Sequence, residues 1–142
     1  MRKLGIDLGS KRIGLAVSDV LNLTAQPLKY ILRSNLSEDI NQLKKVITEY
    51  NIDEIVVGIP VSLDGSYQAS ARQALDYSKN LEKELKIKVS TWDERLTTVQ
   101  AENMLIKADV KREKRKQIVD KVAASIILQG YLDSRKRLKA EE

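Results

Sequence analysis

The chain has 142 residues, 42% of them hydrophobic, a size and composition that suit one domain with a buried core and at most one active site. Its 25 Lys and Arg against 20 Asp and Glu leave a net charge of +5, which favours a polyanionic partner, although solubility alone also explains so modest an excess. Cysteine and histidine are both absent, which excludes disulfides, thiolate nucleophiles, ordinary zinc sites and imidazole acid–base chemistry, so an enzyme here must work with carboxylates, lysines, hydroxyls or bound metal.

The opening "MRKLGIDLGSKRIG" has no apolar leader region, and no run approaches a membrane span, so the chain reads as soluble and cytoplasmic. "KLGIDL" and "RIGLAVSD", separated by "GSK", predict a hairpin, and a third strand is expected within "TAQPLKYILR". In "NLSEDINQLKKVITEY" the residues Leu36, Ile40, Leu43, Ile47 and Tyr50 step by three and four, with Asn35 or Ser37 placed to cap, which predicts an amphipathic helix. "DEIVVGI" is a continuous apolar run ended by Pro60, the pattern of a strand covered on both faces, and its exit loop carries an Asp64-Gly65 turn. Residues 68–85 show helical spacing through Ala71, Ala74, Leu75 and Leu81, and "KIKVSTW" then alternates like a strand. A Thr97-Gln100 capping box opens a third helix, "TVQAENMLIKA". "KADVKREKRKQ" is either a mobile basic connection or the start of the last helix, expected at about 116–136 with Val119, Val122, Ala123, Ile126 and Ile127 on one side. The order predicts an α/β domain, a mixed sheet with helices packed on it, over residues 1–138, while the terminal "RKRLKAEE" looks disordered and 139–142 is taken as a tail.

Three places could carry chemistry. In the first strand Leu4, Ile6 and Leu8 share one face, while Gly5, Asp7 and Gly9 share the other, so Asp7 stands where glycine lets a metal, phosphate or backbone come close. The plainer alternative is a strand-end aspartate capping a tight turn. "TWDERLTT" places Asp93, Glu94, Arg95 and two threonines where a strand yields to a helix, the end of a sheet at which ligands collect. Asp93 and Glu94 point opposite ways if the strand continues, so one of them serves the site, unless both are a solvated turn favouring the next helix N-terminus. Asp120 lies on an apolar stripe with Ala123, Ala124, Ile127 and Tyr131, where a carboxylate is costly unless it is paired or binds metal. A buried ion pair with Arg12 or Lys121 is the structural alternative. Three converging carboxylates suit magnesium or manganese and metal-assisted phosphodiester hydrolysis. The basic run Lys107, Lys111, Arg112, Lys114, Arg115 and Lys116 could hold a nucleic acid backbone or be a solvated face; Tyr67, Tyr77 and Trp92 are available for stacking in a chain without Phe.

Together "DLGSKRIGLAVSD", "VVGIPVSLDG", "WDERLTTVQAE" and "DKVAASIILQGYL" resemble, in order and over nearly the whole chain, the YqgF/RuvX family of bacterial Holliday junction resolvases and pre-ribosomal RNA nucleases. The resemblance implies a ribonuclease H-like fold with a mixed five-stranded sheet flanked by helices, and a magnesium- or manganese-dependent nuclease. It carries the catalytic and metal-binding roles to Asp7, Glu94 and Asp120, with Asp93 in reserve. Lys11, Arg12, Arg95, Lys111, Arg112 and Arg115 are then expected to bind nucleic acid. Lys121, after Asp120, departs from the small residues common in relatives and either weakens metal binding or contacts phosphate. The implied task is 5′-end maturation of the precursor of 16S ribosomal RNA, with resolution of four-way DNA junctions as the alternative, by a monomer or a homodimer with no membrane partner. Two rivals stand beside it. One is a catalytically silent module that binds RNA or DNA. The other is a nucleotide-binding domain like that of the actin, hexokinase and Hsp70 superfamily, which "DLGSKRIGLAV" also resembles but which needs two such domains.

Overall fold

The computed structural model describes residues 1–62, 64–95 and 112–141, for residues 112–121, 137 and 139–141 the backbone alone. In chain order the elements are β1 (Arg2–Leu8), β2 (Arg12–Ser18), β3 (Ala25–Pro27), β4 (Ile31–Leu32), α1 (Leu36–Tyr50), β5 (Ile52–Ile59), α2 (Ala69–Leu85), β6 (Lys88–Asp93) and α3 (Arg112–Glu141). The Thr97-Gln100 box, the helix expected at 98–108 and Lys107 and Lys111 lie outside the described residues.

β1 and β2 form the expected hairpin, closed by the Gly9 amide donating to Arg12 O at 2.9 Å. The sheet runs β3-β2-β1-β5-β6, with β4 also on β2; β1, β5 and β6 are mutually parallel and the remaining pairs antiparallel. The mixed sheet expected from the sequence thus has five positions, and its third strand is split in two. β3 and β4 both bond to β2, but their registers differ by one residue, and Pro27 cannot continue a ladder.

Strand alternation divides the core. Leu4, Ile6, Ile13, Leu15, Ile55 and Val57 face α1 and α2, where Ile40, Leu43, Ala71, Ala74, Tyr77 and Leu81 meet them. The predicted stripe of α1 is used as written, with Leu36, Ile47 and Tyr50 completing it. Asn35 is its cap, accepting from the Glu38 amide at 2.8 Å. Asn51 ends the helix in the left-handed region (φ 55°).

On the opposite face α3 lies against Ala16 and Val56 through Ala124, Ile127, Leu128, Tyr131 and Leu132. The buried stripe is therefore rotated from the expected one: Val122, Ala123 and Ile126 are half-buried, while Ala124 and Leu128 face the sheet. Close approach at β1 decides between the two apolar stripes, because a Cβ on Gly5 would sit 2.8 Å from Ala124 O and 2.8 Å from Leu128 Cβ. α3 starts at Arg112, so the basic segment from there on is helix, and it continues through 135–141, where the sequence reading placed a tail. Extending a helix already nucleated by buried turns costs little even in a charged stretch.

Beneath α3, at the starting end of the parallel strands, Glu54 is 5% exposed and accepts from Tyr131 Oη and Ser90 Oγ, both at 2.6 Å. Burial pushes its carboxyl up, but the bonds from Ser90 and Tyr131 and the ammonium groups of Lys88 and Lys3 outweigh it and hold it below the usual range. Gln129 ties α3 to β3, accepting from the Ala25 amide at 2.9 Å and donating to Leu23 O at 3.0 Å.

Gly5→Ala is expected to cost about 1–3 kcal/mol by forcing α3 off the sheet. Gly14→Ala, whose Cβ meets Asp7 Cβ at 3.5 Å and Ala124 Cβ at 3.8 Å, should leave stability nearly unchanged. Urea unfolding of the two variants checks the contrast.

Candidate metal and nucleic-acid site

β1, β5 and β6 run parallel, so their carboxyl ends gather on one side of the sheet, and Asp7 and Glu94 meet there. Asp7 is level with Gly14 across the hairpin. Continuing the β1–β5 register one residue past Ile6 and Val57 puts Gly58 on its other side. The aspartate thus has a glycine neighbour on each adjoining strand as well as two residues before and two residues after it in the chain. Gly58 in turn pairs with Trp92 of β6, and Glu94 follows two residues later.

The Glu94 side chain folds back over that bare position. A Cβ on Gly58 would lie 2.7 Å from Glu94 Oε1 and 2.9 Å from its Cγ, so only glycine there leaves the carboxyl room to reach Asp7. Glu94 is pushed up to about 8, first by burial, then by its hydrogen bond with Asp7, and then by the negative charges of Asp7 and Asp93. Every one of these influences opposes a second charge. Among the described residues no basic group offsets the pair, and its oxygen donors match those that magnesium and manganese prefer.

Asp93 turns away from this pair. Its carboxylate takes a forked contact from the Arg95 guanidinium, Nε at 3.0 Å and Nη2 at 2.6 Å on Oδ2, and accepts the Arg95 amide at 3.0 Å on Oδ1. Bonding to Arg95 and the guanidinium charge outweigh partial burial and hold Asp93 below the usual carboxylate range. Of the two adjacent acids, the strand alternation therefore sends Glu94 to Asp7 and leaves the reserve ligand Asp93 in an ion pair. Arg95, expected on nucleic acid, is engaged by Asp93 and by Ser62 O at 3.3 Å, because a two-residue loop step brings its fork onto the neighbouring carboxylate.

Asp120 belongs to α3, four residues before Ala124, which adjoins the Asp7–Gly14 pair. Its side chain, and those of Arg112 and Arg115, lie outside the described residues, as does Lys111 altogether. Among the described residues no group of three or more acids is placed to hold a metal. Lys11 and Arg12 are exposed in and after the hairpin turn, and the Arg12 guanidinium lies 4.6 Å from the centre of the Tyr30 ring. Sequence reasoning missed Gly14 and Gly58 as the floor of the site; the signal was a glycine in each neighbouring strand, and it needs the register to be seen.

Residues 1–134 match the family model described as RuvX, Holliday junction resolvase. The chain belongs to the RuvX family. Relatives of this RuvX member include a protein of Halothermothrix orenii, 49% identical over 97% of this chain and 99% of that one, and a protein of Clostridium beijerinckii, 51% identical over 94% and 96%. Both carry the name "Putative pre-16S rRNA nuclease". The RuvX chain also shares its fold with Thermus thermophilus RuvC, solved in complex with a Holliday junction substrate (TM-score 0.53, 18% identity, 96% of each chain), and with the fowlpox virus Holliday junction resolvase (TM-score 0.52, 14% identity, 94% and 99%). These likenesses bear out the α/β, ribonuclease H-like expectation. No described helix is long and apolar enough to cross a membrane.

Glu94 keeps in the folded, metal-free protein a proton that the unfolded chain sheds near its ordinary value of 4.5, so stability falls as pH rises from about 4.5 to about 8. Glu94→Gln should remove this dependence and be more stable than the parent above pH 8, by on the order of a few kcal/mol, with the gap closing near pH 4. Urea unfolding across pH in chelator measures it.

Proposed function

We propose that the chain is a nuclease that hydrolyses phosphodiester bonds of structured nucleic acid with magnesium or manganese, held by Asp7, Glu94 and Asp120, and that its task is 5′-end processing of precursor 16S ribosomal RNA in the cytoplasm. The observation that carries this reading is the Glu94 carboxyl laid across Gly58 onto Asp7, two acids in contact whose surroundings oppose a second negative charge. Asp7, Glu94 and Asp120 would hold the divalent cation, which would supply Lewis-acid stabilisation of the phosphodiester and lower the pKa of a water. The protein's own part is to release the proton held by Glu94, present both carboxylates, and keep the floor at Gly14 and Gly58 clear for a phosphate. Lys11 and Arg12 by the hairpin turn, with Lys111, Arg112 and Arg115 before and in the first turns of α3, attract the polyanionic backbone. The names of relatives about half identical over nearly the full length support the ribosomal RNA task.

Cleavage of a four-way DNA junction is the second reading, favoured by the description of the matching family. A two-fold junction calls for a homodimer, whereas trimming an RNA end suits a monomer.

Cleavage assays on a precursor 16S RNA end and on a four-way junction, with magnesium, manganese or chelator, test both. Cutting should require metal and be abolished in Asp7→Asn; unchanged cutting by that variant sinks the assignment, and retained binding without any cutting by the parent points to a silent module. A second measurement uses the single tryptophan. Trp92 is level with Gly58, so manganese should quench its fluorescence in the parent and not in Asp7→Asn, and a flat titration to millimolar manganese counts against the site.

A further inference from the structure

The row of residues that holds Asp7 extends beyond the carboxylates. Asp7 pairs with Gly14, and the β2–β4 register, in which Arg12 faces Leu32 and Ile13 faces Ile31, puts Tyr30 level with Gly14 when continued by one residue. Cross-strand neighbours point to the same face, and Ile13 and Ile31 are both buried on the other one. Asp7, Gly14 and Tyr30 therefore follow one another across the carboxylate face, with Arg12 two residues from Gly14 on the same side. Two interstrand steps separate Tyr30 from Asp7, about 10 Å.

Tyr30 is 53% exposed, and the guanidinium of Arg12 lies 4.6 Å from its ring centre. The cation covers one part of the ring and leaves the rest open to solvent. An aromatic face backed by an arginine is the chemistry that stacks a nucleobase, and it accepts any base because every base has a π-face. A base inside a duplex has both faces covered by its stacked neighbours, so the platform takes an unpaired, unstacked nucleotide. Gly14, without a side chain, leaves the path between platform and carboxylates open.

We propose that Tyr30, backed by Arg12, is a stacking platform for an unpaired nucleobase adjoining the phosphate at Asp7, so that the protein selects strands with a single-stranded stretch beside the bond to be cut. The proposal rests on the nuclease reading only for what happens at Asp7; the stacking itself needs no cleavage.

The test is binding in chelator, read by fluorescence, of a single-stranded RNA oligonucleotide carrying 2-aminopurine and of a blunt duplex of the same sequence. The parent should quench the 2-aminopurine of the single strand. Tyr30→Ala should weaken single-strand binding roughly tenfold, the loss of one stacked base, and remove the quench, while duplex affinity stays within about twofold. Tyr30→Phe should restore both. Equal affinities for parent and Tyr30→Ala, an equal loss on single strand and duplex, or a parent that does not bind the single strand would each overturn the platform. Loss of cutting in Asp7→Asn alongside an ineffective Tyr30→Ala leaves the nuclease and removes the platform; selective loss of single-strand binding in Tyr30→Ala with a parent that never cuts does the reverse.

Discussion

A side chain at Gly5 would occupy the space of Ala124 O and Leu128 Cβ, so α3 and β1 are in direct backbone contact, and the placement of everything on α3 follows from that contact. Gly130 repeats the device one stripe further along, where a Cβ would lie 3.0–3.1 Å from the Trp92 ring. With the helix seated so closely, sideways slip means collision rather than a gradual loss of packing. The Glu54 carboxylate, accepting from Tyr131 and Ser90, fixes the position of α3 along its own axis at the other end. Asp120, about one turn before Ala124 and about three turns before Tyr131 on the same helix, inherits its backbone position from both anchors.

The two ends of the sheet handle buried negative charge in opposite ways. Glu54 is surrounded by donors and ammonium groups and stays ionised, which makes it a structural acid. Glu94 meets burial and two further acids, and keeps its proton. The same residue type is therefore a fixed ionised anchor where the described residues supply compensation and a protonated acid where they do not. Withholding it costs stability, as a local departure from charge compensation does.

Much of this was legible in the sequence where periodicity is local. The α1 stripe, its Asn35 cap, the apolar run of β5 and the isolation of Asp7 among glycines all follow from spacings within one element. Alternation along the strand also foretold that Asp93 and Glu94 would part company, though not which of them would turn to Asp7. What could not be read depends on register between elements: the glycine floor at Gly14 and Gly58, the choice between two apolar stripes on α3, and the placing of Tyr30 in the row of Asp7. The offset of one residue between β3 and β4 breaks the alternation through 25–32, so no pattern within that segment reveals which way Tyr30 faces.

That broken third strand also governs what can attach to the molecule. An uninterrupted outer strand would offer a line of free amide and carbonyl groups to any extended peptide, including another copy of the same segment. Here the line is three residues, the last of them a proline, then a three-residue link outside the strands, then two residues out of step with the first. A chain adding itself along this border could satisfy no more than a few bonds before losing register. The border is thereby closed to peptide recruitment, while its aromatic and cationic side chains remain outward, a surface legible to a stacked base and a phosphate but not to a β-strand.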